Sequence, residues 1–132
     1  MKAVFIGEDP KVIQTARLAL RLRWPEDAMS VADNAADGVA LVEKTSPDVV
    51  LLHPDFDDMT LSQTIEKLRS FSNVPILVLG RQNDEMEVVT ALQTGADDYV
   101  RLPCDMTEII TRVWVLLRRA ASSELNNSPN HN

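Results

Sequence analysis

Four consecutive apolar residues, Val49-Val50-Leu51-Leu52, constrain this chain more than any other feature. A strand with one face in water alternates apolar and polar residues, whereas an unbroken aliphatic run must be covered on both faces. Such strands belong to parallel sheets, whose crossover helices supply the cover. The rest of the chain holds the matching parts. Lys2 to Ile6, Met29 to Ala32, Ile76 to Leu79 and Tyr99 to Val100 predict four more strands. Between them, apolar residues recur at helical spacing: Val12, Ala16, Leu18, Ala19 and Leu22, then Ala36, Val39, Ala40 and Val42, then Leu61, Thr64, Ile65 and Leu68. Val88, Val89 and Leu92 mark a fourth helix, and Ile109, Ile110, Val113, Leu116 and Leu117 a fifth. The expected architecture is α/β, with the run at 49–52 in mid-sheet. Asp9-Pro10 reads as a helix start, a capping carboxylate followed by a residue whose missing N–H costs nothing at the first helical position. Gly95 reads as a helix stop.

At 132 residues the chain suits one domain with one core. Its net charge of -7 argues against direct nucleic-acid binding, which draws on clusters of Lys and Arg, so any DNA contact needs a separate domain. The single cysteine, Cys104, cannot close an internal disulfide and reads as a small buried or half-buried hydrophobe. With no signal peptide before Ala3 and no run long enough to cross a bilayer, a soluble cytoplasmic protein without a membrane partner is expected. From Ser122 to Asn132 the composition turns to Ser, Asn, Pro and His, so residues 1–121 read as the domain and 122–132 as a flexible tail or linker.

Three segments, Pro47-Asp48-Val49-Val50-Leu51-Leu52, Asn73-Val74-Pro75-Ile76-Leu77-Val78-Leu79 and Gly95-Ala96-Asp97-Asp98-Tyr99-Val100, together with the acidic pair Glu8-Asp9, fall in the order and spacing of response-regulator receiver domains. The chain resembles that family over about Met1 to Ala121, and the Gly-Ala-Asp-Asp-Tyr stretch with Arg112 to Arg119 is most similar to its OmpR/PhoB-like subfamily. The resemblance implies a flavodoxin-like (CheY-like) five-stranded parallel sheet, strand order 2-1-3-4-5, with helices on both faces and the site at the carboxyl ends of the strands. It also implies a cis bond at Leu102-Pro103.

At the positions of the family's phosphorylation site the residues differ. The phosphoacceptor aspartate is matched by His53, the Ser or Thr ending the fourth strand by Gly80, the small residue after it by Arg81, and the lysine before the fifth-strand proline by Leu102. Phosphoryl transfer needs a carboxylate nucleophile, Mg²⁺ on hard oxygens, and cations that stabilise the moving group. His53 removes the first and one metal ligand, Leu102 a cation, and Gly80 a hydroxyl, so no catalytic residue, metal or cofactor is assigned. His53 itself reads as a neutral hydrogen-bonded residue, as a pH-sensitive group among Glu8, Asp9 and Asp55, or as an alternative phosphoacceptor. Glu8, Asp9 and Asp55 form an acidic pocket over which Arg81 either reaches to pair or points to solvent. Asp55, Asp57 and Asp58 read as a solvated acidic loop, and Tyr99, matching the family's switch aromatic, as a fixed packing residue.

The resemblance further implies a homodimer through the fourth helix, fifth strand and fifth helix, with Asp97, Asp98, Glu108, Arg112 and Arg119 as its charges and Val88 and Leu92 as its apolar centre. The expected function is phosphorylation-independent signal transduction, with a sensor or regulatory protein as partner and control of transcription through a downstream DNA-binding domain. The alternative is a stand-alone adapter that docks a partner protein. An enzyme is not expected, for want of a nucleophile or base with an orienting partner.

Overall fold

The computed structural model describes residues 1–26 and 28–126. Strands β1 (Ala3–Ile6), β2 (Met29–Ala32), β3 (Val49–Leu52), β4 (Ile76–Arg81) and β5 (Asp98–Leu102) alternate with helices α1 (Pro10–Arg23), α2 (Ala35–Thr45), α3 (Leu61–Arg69), α4 (Glu85–Thr94) and α5 (Met106–Asn126). The strands form one parallel sheet in the order β2-β1-β3-β4-β5, as the resemblance implies. All four residues of β3 are fully buried, which is why that stretch has no polar residue. Because strand side chains alternate, Val4, Ile6, Val50, Leu52, Ile76 and Val78 face α2, α3 and α4, while Phe5, Val49, Leu51, Leu77 and Leu79 face α1 and α5.

The helices start where the sequence offers a cap. Asp9 accepts from the Lys11 N–H with Pro10 in the first turn, Asn34 caps α2, and Thr60 with Gln63 forms a reciprocal capping box on α3. Helix α4 ends at Gly95, whose φ of +133° strains any residue with a Cβ. The Leu102-Pro103 peptide is cis.

Several expectations shift. Leu18 and Leu22 of α1 lie on the exposed side, the buried face being Ala16, Ala19 and Leu20. On α2 the buried face is Ala35, Gly38, Val39 and Val42, with Ala36 and Ala40 outside. Gly38 lets α2 approach β1 so closely that a Cβ there would lie 2.6 Å from Ile6. Helix α5 runs through Ser122 to Asn126, where composition alone suggests a tail, because Ala120 and Ala121 are strong helix formers that carry the helix onward. The remainder of the expected tail, 127–132, lies outside the described residues. Among the described residues, no helix is long and apolar enough to cross a membrane.

Candidate functional site

Since every strand runs the same way, their carboxyl ends gather at one pole of the sheet. Gly7, Glu8 and Asp9 follow β1, His53 follows β3, Gly80 and Arg81 end β4, and Leu102 ends β5. The His53 ring sits half-buried with Nδ1 2.7 Å from the Leu79 carbonyl. A carbonyl only accepts, so Nδ1 carries the hydrogen, and Nε2 faces Asp55 Oδ2 at 3.6 Å. The ring is thus a hydrogen-bonded residue at the strand end, with Asp55 beside it.

Asp55 is otherwise engaged. Its carboxylate accepts from the Glu8 N–H at 3.0 and 3.1 Å and from the Asp9 N–H at 2.8 Å, tying the loop after β3 to the loop after β1. Asp9 in turn caps α1. Among the described residues, no three His, Cys, Asp or Glu side chains are arranged to hold a metal ion. Hence the residues present do not fit the Mg²⁺ site that the resemblance would imply: an imidazole stands after β3 and the nearby carboxylate is occupied by backbone donors.

The acidic loop is not simply solvated. Asp58 accepts from the Ala35 and Ala36 N–H groups at 2.9 and 2.8 Å and so covers the amino end of α2. These two bonds, Ala35 first, hold its carboxyl below the usual range. Arg81 makes no side-chain pair with Glu8, Asp9 or Asp55 and is exposed; only its backbone takes part, the N–H donating to Glu87 Oε1 at 3.4 Å.

Gly80 has a steric cause. Tyr99 is buried and its ring lies over β4, with the phenol donating to Glu87 Oε1 at 2.5 Å and its oxygen 3.3 Å from the Arg81 carbonyl. A Cβ on Gly80 would run into Tyr99 Oη and Cζ and Glu87 Oε1. Burial first, and then the hydrogen bond and charge of Glu87, push the phenol up from its ordinary value. Tyr99 is thus a packed residue as expected, but Glu87, which fastens it to α4, carries no signal in the sequence. Burial, with the charges of Glu108 and Asp105, likewise pushes the Cys104 thiol up, which leaves it protonated and a poor nucleophile.

Of the residues expected at a dimer face, Arg112 pairs with Asp98 at 3.3 Å and Glu108 at 3.8 Å, and Arg119 lines the same hollow as all three. Val88 is half-buried against the core, and Leu92 is exposed. Asp97 does not stand with them. Its Oδ2 accepts from Arg69 at 2.9 Å and from the Ile76 N–H at 2.8 Å, at the opposite pole of the sheet, so it is fastened to α3 and β4 within its own domain.

Residues 4–114 match the response regulator receiver domain family. The chain is 32% identical over 124 residues to the sensory transduction protein RegX3 of Mycolicibacterium smegmatis, covering 94% of this chain and 54% of that protein. It is 31% identical over 121 residues to the transcriptional regulatory protein KdpE of Mycobacterium tuberculosis, covering 91% of this chain and 53% of the relative. The chain therefore spans about half the length of these curated relatives. Among solved structures, a two-component response regulator from Clostridium difficile superposes with a TM-score of 0.82 at 22% identity, over 91% of this chain and 98% of that one. The BeF3-activated receiver domain of Klebsiella pneumoniae RstA superposes with 0.77 at 24% identity, over 89% and 99%. With its parallel sheet and its loops gathered at one pole, this chain belongs to the response-regulator receiver domain family.

Proposed function

We propose that this receiver domain works without an aspartyl phosphate, as an atypical or pseudo-receiver of the OmpR/PhoB-like type, acting in the cytoplasm as a regulatory module and not as an enzyme. The observation that carries the reading is the state of the carboxylates. The residue after β3 is His53, bound to the Leu79 carbonyl, and the nearest acid, Asp55, is occupied by two backbone N–H groups. Leu102 offers no ammonium where the resemblance implies a lysine. The similarity to RegX3 and KdpE supports a role in transcription, exercised through a separate effector domain that contacts DNA.

The test is phosphorylation itself. Acetyl phosphate or beryllofluoride with Mg²⁺ is expected to leave the intact mass and the amide NMR shifts unchanged. An acid-labile adduct on any residue of this pole overturns the reading.

The same reading includes a homodimer through α4, β5 and α5, supported by exposed Leu92 and by the Asp98, Glu108, Arg112 and Arg119 cluster. Exposed charge pairs alone contribute only about 0 to 1 kcal/mol each, so apolar contact must supply the remainder. Light scattering across a concentration series is expected to show a dimer that Arg112→Glu dissociates. A monomer throughout, or a dimer indifferent to the reversal, rules this interface out.

A further inference from the structure

We infer that the cleft between α1 and the carboxyl ends of β4 and β5 binds a small organic anion with an apolar body. The cleft holds about 500 Å³, within the range of ligand pockets. Its wall is made by Val12, Leu102, Pro103, Cys104 and Ile109. Val12, Leu102 and Cys104 are only half-buried, so each packs one side against the core and turns the other to the opening. An apolar surface of this kind gains by covering a hydrocarbon or aromatic body.

The charges at the opening select the sign of the ligand. Lys11 and Arg81 both line the cleft, and among the described residues neither ammonium nor guanidinium has a carboxylate or carbonyl partner. Arg69, Arg101 and Arg112 elsewhere in the domain are each paired with an acid. Of the acids close by, Asp9 lines the cleft and keeps its charge while capping α1, and Asp55 is turned to the Glu8 and Asp9 N–H groups; neither forms an ion pair with Lys11 or Arg81. Two cations without an ion-pair partner beside an apolar wall fit a carboxylate or sulfonate on an apolar frame better than an inorganic anion, which would leave the wall exposed to water. The inference goes beyond the preceding reading and stands whether or not the domain can be phosphorylated.

The experiment titrates the whole chain with 8-anilinonaphthalene-1-sulfonate and with its uncharged counterpart N-phenyl-1-naphthylamine, by fluorescence and by amide NMR. One saturable site is expected, with the largest shifts at Thr15, Gly80, Arg81 and Leu102. The surface double variant Lys11→Ala, Arg81→Ala is expected to weaken the sulfonate about tenfold and leave the neutral probe within about twofold. Thr15→Trp, which fills the cleft from α1, is expected to abolish both, with circular dichroism as the control for folding. Shifts centred on Leu22, Leu92 or Trp114, no saturable binding, or a double variant that binds the sulfonate as before overturns the inference.

Discussion

Helices α3 and α4 are neighbours of nine and ten residues, yet they are held in opposite ways. Helix α3 buries Thr64, Ile65 and Leu68 and starts in a capping box. Helix α4 buries only Ala91 and leaves Met86, Val89 and Leu92 exposed at 71%, 44% and 45%. What α4 lacks in apolar burial is partly replaced by polar fastening at its first turns, where Glu87 takes the Tyr99 phenol and Glu85 meets Arg101 at 3.1 Å. Apolar packing is broad and hard to undo, whereas a latch made by one residue can be opened by one change. The contrast marks α4 as held less firmly than α3.

The sharpest way to break the contrast is to hollow out α3. Ile65→Ala removes a fully buried side chain and is expected to lower the unfolding free energy by about 2 to 5 kcal/mol, read from denaturant midpoints. Met86→Ala on α4 is expected to stay within about 0.5 kcal/mol. Equal losses at the two sites would erase the distinction.

Next in size is the latch. Gly80→Ala places a methyl group where Tyr99 and Glu87 stand, and overpacking of this kind costs about 1 to 3 kcal/mol. Faster amide exchange confined to α4, with α3 unchanged, is the expected signature. Exchange that rises equally in both helices would show that they open as one unit.

A smaller effect belongs to the hydrogen bond itself. Tyr99→Phe is expected to cost about 1 kcal/mol near neutral pH. Because the phenol is raised in the folded state, its contribution is complete below the ordinary value of 10.0 and is lost as pH rises toward the folded value. Tyr99→Phe should therefore flatten the alkaline limb of the stability curve, and an unchanged limb would mean that another group controls it.

The smallest expected change is at Asp58, which is exposed. Its carboxyl is lowered by the α2 N–H groups, so its contribution is present above the ordinary value of 3.8 and lost as pH falls below it. Asp58→Asn is expected to reduce the acid sensitivity of α2 alone, measured by amide exchange at Ala35 and Ala36.

The sheet was legible in the sequence because its signal is repeated. Five apolar runs and the Asp9-Pro10 and Gly95 boundaries each report on local structure, and they agree. The helix faces were less legible, since Leu18, Leu22 and Val89 are apolar residues that point outward, and periodicity cannot tell a surface leucine from a core one. His53, Gly80 and Leu102 draw notice only against the pattern that the resemblance implies. Their consequences were not legible, because they depend on contacts between distant segments: Asp55 with residues 8 and 9, Asp58 with α2, and Glu87 with Tyr99. An acidic run looks solvated until the helix whose N–H groups it meets is placed beside it.

Gly80 also couples positions that stand on three different elements. A serine or threonine there would collide with Tyr99, and replacing Tyr99 would in turn leave Glu87 without its phenol donor. An aspartate at position 53 would set a second carboxylate next to Asp55. Substitutions at positions 80, 87 and 99 are therefore expected to be non-additive, each setting what the other two can tolerate.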